Sequence, residues 1–419
     1  MRSGYRGCMR EFDLIVFGAT GYTGRLVVTA LLEFPEPGLR LAMAGRNREK
    51  LEQVRASIAE RFPEAATLEL VVADVEDPSS LEALAKRTRV VCTTVGPYAL
   101  LGDGMVAACV AQGTDCCDLT GEVHWMRKNI DAFHSQAQQN RCRIVHAAGF
   151  DSIPFDIGVY AVQQQAIRQW GEASRRVRTV TGRMKGGFSG GTIASMTSLF
   201  ERIRTDRSML RLMGNPYALV PGGTGPDRND SRAVVYAPDH CTWTAPFIMA
   251  GGNTRGVRRS HHLQGQPWGG DFSYAESMGT GRGPVGWLRA QWIRILLGVL
   301  VSALAVRWTR RLVVGTILPK PGDGPSLAQR ERGHFAAHII AERKDERIQL
   351  DVLGEGDPGY LATSRMLAQT ALALVNDELP EMYGVLTPGA LLGPSLLRRL
   401  PTVGIRFEVR ASTSRTIDP

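Results

Sequence analysis

Residues 13–24 read Asp-Leu-Ile-Val-Phe-Gly18-Ala-Thr20-Gly21-Tyr22-Thr23-Gly24, an apolar run closed by three evenly spaced glycines. Directly after it comes Arg25-Leu-Val-Val-Thr-Ala-Leu-Leu, a helix-forming stretch. Glycines at such a junction let the backbone turn sharply and come close to a ligand. The first N–H groups of the helix then face outward with no partner of their own, ready for a phosphate. The glycine pattern alone is weak; a strand before it and a helix after it make it specific. The expected cofactor-binding turn therefore comprises Gly18, Thr20, Gly21, Tyr22, Thr23 and Gly24.

Outward from that turn, short β-branched runs alternate with helical stretches. Strands are predicted over 13–18, 39–44, 68–73, 90–95, 114–118 and 143–147, with helices over 21–34, 48–62, 78–87, 102–112 and 125–140. Strict alternation implies a parallel sheet covered on both faces. Ligands of such sheets bind beyond the carboxyl ends of the strands. The second predicted strand is followed there by Ala44-Gly-Arg46-Asn-Arg48. An acid at that place would hold a ribose 2′-OH, whereas an arginine matches a 2′-phosphate. NADPH is the expected cofactor. Asp74 ends the third strand near the expected adenine position, unless it merely serves the helix start at Asp77. Thr94-Val-Gly96-Pro97-Tyr98 would let the backbone pass the nicotinamide half, or would form only a tight turn. Asp118-Leu-Thr-Gly-Glu122 and Gly149-Phe-Asp151-Ser-Ile-Pro154 end the next two strands, so polar residues converge from three neighbouring strand ends.

Beyond residue 153 the rhythm changes. A helix over about 156–170 leads to a strand over 178–184, then to glycine-rich 186–191 entering a helix at Thr192. Gly190 and Thr192 are candidates there for an anion or carbonyl pocket, with a close backbone crossing as the alternative. Residues 214–240 read as a loop or insertion. Strands at 233–236, 242–249, 334–341 and 348–353 suggest an antiparallel sheet; helices at 361–377 and 388–399 and a strand at 404–409 close the chain. The expected fold is α/β: a Rossmann-type parallel sheet with a second α+β domain containing a mainly antiparallel sheet. The expected division is 9–152 for the cofactor domain, 153–355 for a substrate or dimerisation domain, and 356–419 for C-terminal helices packed back on the first.

The 419 residues are 43% hydrophobic and 22% charged, an ordinary balance for a globular protein of two domains. The formal charge of +9 suits an anionic partner or a solvated basic surface. No aromatic-interleaved basic cluster points to nucleic acid. The seven cysteines form no C-x-x-C pair, so neither a metal site nor a disulfide framework is expected. With no signal-peptide pattern, a cytoplasmic location is expected, with the inner face of a membrane as a second place for it. Short-chain dehydrogenases share the glycine turn but need lysine four residues after a tyrosine, and no tyrosine here has one.

Residues 295–306 form a twelve-residue run without a charge, flanked by Trp292, Arg294, Arg307 and Trp308. The run is too short for a bilayer span, which leaves a buried helix, a dimer interface, or an interfacial helix or lid spanning 288–308.

Taken together, Phe17–Gly24, Ala44-Gly-Arg46, Thr94–Tyr98, Asp118–Glu122 and Gly149–Pro154 resemble the saccharopine dehydrogenase-like oxidoreductases. Lys185-Gly-Gly-Phe-Ser-Gly-Gly-Thr192, Gly356-Asp-Pro-Gly-Tyr360 and Gly384-Val-Leu-Thr-Pro388 extend the likeness to the trans-acting enoyl reductases of mycobacterial type. The resemblance implies NADPH-dependent reduction of an α,β-double bond in a polyketide or lipid acyl chain, carried by an acyl-carrier protein or polyketide synthase. Reduction of an imine or ketone on a small substrate, or a non-catalytic NADPH-binding scaffold at a lipid surface, are the alternatives. Conjugate reduction needs a donor for the thioester oxygen and a proton source. Tyr98 and Lys185 are the candidates for these roles, with Glu122 and Asp151 as orienters.

Overall fold

A computed structural model describes residues 10–186, 199, 201–203, 206–228, 230, 233–305 and 325–410. Gly190, Thr192 and residues 306–308 of the apolar stretch lie outside the described residues.

Seven strands form the first sheet: β1 (Phe12–Phe17), β2 (Leu41–Gly45), β3 (Glu69–Val72), β4 (Thr88–Thr93), β5 (Asp115–Asp118), β6 (Arg143–Val145) and β13 (Gly384–Leu386). Their order is β13-β6-β5-β4-β1-β2-β3, and every pairing is parallel. All residues of β1 and β2 are buried, which is why these strands read as continuous apolar runs rather than alternating ones.

The second sheet contains β7 (Arg176–Lys185), β8 (Val235–Ala237), β9 (Thr242–Ala245), β10 (Ser273–Gly281), β11 (His334–Arg343), β12 (Glu346–Glu355) and β14 (Ile405–Arg410). Its order is β14-β12-β11-β7-β10-β9-β8, antiparallel throughout except for the parallel pair β7 and β10. The helix Ile153–Trp170 leaves the first sheet and packs on β11 and β12, where Gly158 makes room for Ile339 and Val352. One hydrophobic core joins the two layers, from Leu14 and Val16 through Phe155 to Ile339 and Leu350. Residues after 356 do more than pack back as helices. The helix Leu361–Asn376 lies across β1, β4 and β5, while β13 extends the first sheet and β14 the second.

Two helices depart from the sequence reading. Ala250–Leu263 is a buried helix in a stretch for which no element was expected. The apolar run lies in a 23-residue helix, Gly283–Ala305. By length and composition that helix could cross a membrane, so the run's shortness does not rule out a span. The buried-core reading also fails, because Trp292, Leu296 and Val299 stand in solvent.

Candidate functional site

The glycine turn is built as its spacing requires. Gly18 adopts φ +90°, and a side chain there would lie 2.8 Å from Thr94 Oγ1 and Val95. A Cβ on Gly24 would overlap the Gly18 carbonyl. These two glycines are demanded by the chain's own crowding. Gly21 differs: its N–H donates to the Gly18 carbonyl (2.9 Å), it is exposed, and it begins the helix Tyr22–Glu33 without any side-chain cap. An uncapped helix N-terminus beside an exposed glycine fits a pyrophosphate.

Thr94 ties β4 to the turn through its N–H on the Phe17 carbonyl (2.9 Å), and Gly96-Pro97 follows with a cis peptide bond. Thr20 and Thr23 flank the turn and are partly buried. The Tyr22 hydroxyl donates to the Pro325 carbonyl (2.6 Å), and its ring meets Tyr360 edge-on at 4.8 Å. Arg330 lies 5.6 Å from the Tyr22 ring and brings a positive charge to the phosphate turn from a distant part of the chain. No short-range pattern announces that arginine.

Arg46 follows β2, exposed and without an ion pair among the described residues, whereas Arg48 is held by Glu52 at 3.1 Å. The Arg46 guanidinium is thus available to an anion. Asp74 is occupied locally: its Oδ1 accepts from Glu76 N–H (3.1 Å), and Asp77 caps the next helix.

At the neighbouring strand ends the structure reassigns two expected groups. Tyr98 is 5% exposed, and its hydroxyl donates to the Thr93 carbonyl at 3.1 Å. Burial and the nearby Asp118 carboxylate push its phenol well above the ordinary value. Its proton is engaged by that carbonyl, and its ring packs on Trp125 at 5.4 Å. Glu122 accepts the amides of Tyr98 (2.9 Å) and Ala99 (3.0 Å), bracing one strand end against the next. It thereby holds the loop that follows β4.

Asp151 remains partly exposed, with a carboxylate oxygen 3.1 Å from where a Cβ on Gly121 would stand. Burial lifts its pKa to about 6. Lys185 ends β7, exposed, next to Gly186, which abuts Asp357 and Pro358 of the turn leading to Tyr360. The helix Ala250–Leu263 packs close to these strand ends. A Cβ on its Gly252 would stand 3.8 Å from the Gly121 carbonyl, and one on Gly256 would stand 3.5 Å from Ser152 Oγ.

His124 is the residue that sequence reasoning missed. It stands in the first turn of the helix Val123–Gln139, directly after the β5 strand end. It is buried, and neither ring nitrogen is hydrogen-bonded among the described residues. Burial, aided by the Arg202 charge, lowers its pKa to about 4, so the imidazole is neutral near pH 7. A buried polar group without a partner costs free energy unless a ligand completes it. The strand ends thus offer a phosphate cradle, a free arginine after β2 and a carboxyl able to carry a proton, and the helix that follows β5 holds a buried, neutral imidazole.

Comparison with known proteins agrees with this geometry. Residues 18–181 match a family model described as NAD(P)H-binding, so the turn serves a nicotinamide cofactor. Among solved structures, the L-glutamate-forming saccharopine dehydrogenase of Saccharomyces cerevisiae shares the fold. Its TM-score is 0.52 over 96% of this chain and 100% of that one, at 12% identity. A Mycobacterium tuberculosis protein provisionally named a trans-acting enoyl reductase is 41% identical over 416 residues, 95% of this chain and 97% of its own. The trans-acting enoyl reductase of Mycobacterium leprae is 37% identical over 412 residues, 94% and 97% of the two chains. The chain belongs to the trans-acting enoyl reductase family, an oxidoreductase family built on the fold of saccharopine dehydrogenase.

Proposed function

We propose that the protein is an NADPH-dependent enoyl reductase that acts in trans on an α,β-unsaturated acyl thioester delivered by a polyketide synthase or its acyl-carrier domain. The observation that carries this reading is the relatedness, over nearly the whole chain, to proteins of that name. The cofactor would supply the hydride, and Arg46 favours the phosphorylated form because a guanidinium matches a 2′-phosphate.

This chain's residues have two roles once the substrate is seated. Negative charge develops on the thioester oxygen as the β-carbon gains hydride. A pre-oriented donor in a site shielded from water stabilises that charge, usually the largest single contribution to the rate. His124 suits the donor role. It is neutral, so its N–H is held without the cost of burying a second charge, and it has no hydrogen-bond partner among the described residues. The α-carbon must then take a proton, and Asp151, with its pKa raised to about 6, can hold one near neutral pH.

The test offers purified protein three pantetheine thioesters of one chain length: 2-enoyl, 3-ketoacyl and saturated acyl. NADPH absorbance should fall with the 2-enoyl thioester alone. Oxidation with the 3-ketoacyl thioester instead would overturn the assignment.

A further inference from the structure

Among the described residues, the helix Gly283–Ala305 is rooted in the protein through its first turns. Gly286 and Ala290 pack towards β9 and β10, and Thr280 Oγ1 donates to the Gly286 carbonyl at 2.8 Å. From Trp292 onward, large apolar side chains stand in solvent: Trp292 is 70% exposed, Leu296 65% and Val299 59%. We propose that this helix inserts into one leaflet of an anionic lipid membrane and docks the enzyme on that surface.

Three observations favour lipid over a second protein. At about 100° per residue, Val301 lies across the helix axis from Trp292, yet it too is 47% exposed. A packed partner covers one face of a helix; a fluid apolar medium covers opposite faces at once. The second observation is the order of residue types along the helix. Trp287, Arg289, Trp292 and Arg294 occupy its rooted half, and no charge follows from Ile295 to Ala305. Arg307 and Trp308 follow the uncharged run in sequence, so tryptophan and arginine suit the headgroup level on both sides of it, with the run between them lying along the surface among the outer acyl carbons. At 1.5 Å per residue that segment extends roughly 16 Å, about half the hydrocarbon thickness of a bilayer. The third observation is charge: the helix has arginines and no acid, and the chain carries a formal +9, so anionic headgroups would hold it best.

This proposal is independent of the reading of the strand-end site, because no residue named there lies on the helix. The test is co-sedimentation of the full chain with vesicles of phosphatidylcholine alone or with about 30% phosphatidylglycerol, which supplies a negative surface potential. The wild-type chain should pellet with the anionic vesicles, pellet less with the neutral ones, and show tryptophan quenching by brominated acyl chains. The double variant Leu296→Gln, Val299→Gln should stay in the supernatant while its NADPH affinity and melting temperature stay at the wild-type values. The proposal is overturned if the wild-type chain does not pellet, or if the variant pellets equally. It is also overturned if the wild-type chain is a stable dimer that ignores vesicles and the variant is a monomer, since that assigns the face to a second copy. If the variant unfolds, Trp292→Ala takes its place with the same two readouts.

Discussion

Two helices invert the usual relation between composition and burial. Ala250–Leu263 contains three glycines, three arginines and two histidines, yet is buried nearly end to end. Gly283–Ala305 is apolar for most of its length, yet Trp292, Ile295, Leu296, Val299 and Val301 all stand exposed. The first is held by pairing. Arg255 reaches Asp230 (2.8 Å) and the Met213 carbonyl; Arg258 reaches Asp227 (2.6 Å) and the Tyr274 carbonyl; Arg259 reaches the Leu219 and Val385 carbonyls. The contacts to Leu219, Asp227 and Asp230 fasten part of the Gly- and Pro-rich stretch 214–240, which reads as a loop or insertion in sequence. The three arginines of the first helix go inside because each finds a carboxylate or a carbonyl, whereas the large apolar side chains of the second stay exposed.

The largest effect should come from breaking the buried pairing. Arg258→Met leaves Asp227 buried, 7% exposed at its side chain, without its counter-charge. Loss of one partner of a buried ion pair costs about 3–5 kcal/mol, read as a lower urea midpoint with an unchanged slope. An unchanged midpoint would mean that the arginines decorate the helix and do not hold it.

Next comes the unpartnered imidazole of His124. His124→Phe should lower kcat by about 100- to 1000-fold, as removal of an oxyanion donor does, with NADPH affinity intact. His124→Gln keeps an N–H and should recover part of the loss. Equal losses in both variants together with weakened cofactor binding would make His124 a packing residue.

A smaller change follows from Arg46→Ala. NADPH affinity should drop by roughly 10- to 100-fold, from loss of a charged hydrogen bond of about 1.5–3 kcal/mol, while NADH affinity stays the same. Equal effects on both cofactors would remove Arg46 from the 2′-phosphate.

The last test concerns pH and returns to the contacts of the polar helix. Glu276 accepts from Asn253 on the buried helix (2.9 Å) and from Tyr274 (2.9 Å), and burial raises its pKa to about 8. A carboxyl held protonated in the folded state favours folding at acid pH. That contribution is complete below the ordinary value of 4.5 and is lost as pH rises through about 8. The melting temperature should therefore decline from about pH 5 to about pH 8, and Glu276→Gln should flatten the decline. An identical slope in the variant would assign the pH dependence elsewhere.

Six strands of the parallel sheet were legible because they are largely buried and alternate strictly with helices, whereas the seventh, β13, joins from the far end of the chain and was not expected. Helix 78–87, for one, begins at the proline after Asp77 and ends at Arg87 as its pattern requires. The helix Ala250–Leu263 was not legible. Gly251, Gly252 and Gly256 lower helix propensity, and its stabilising partners at 213–230 lie outside any local window. β10 was missed for a related reason, since Glu276 and Gly279 interrupt the strand pattern and Glu276 is tolerated only because Asn253 and Tyr274 meet it. At the site, the glycine turn and Arg46 could be read from spacing. Tyr98 and His124 could not be told apart in that way, because the direction in which a side chain points after a strand end depends on packing. Tyr98 turns inward to Thr93, and neither nitrogen of His124 meets a partner among the described residues.

The central claim is that hydride reaches the β-carbon of an enoyl thioester, and isotope tracing tests it most directly. Purified protein is given NADPH carrying deuterium at the transferable nicotinamide position together with a 2-enoyl pantetheine thioester, and the product is read by mass spectrometry and NMR. One deuterium is expected at the β-carbon of a saturated thioester, with a solvent-derived proton at the α-carbon. Deuterium on a carbinol or amine carbon, with the double bond intact, would contradict the claim.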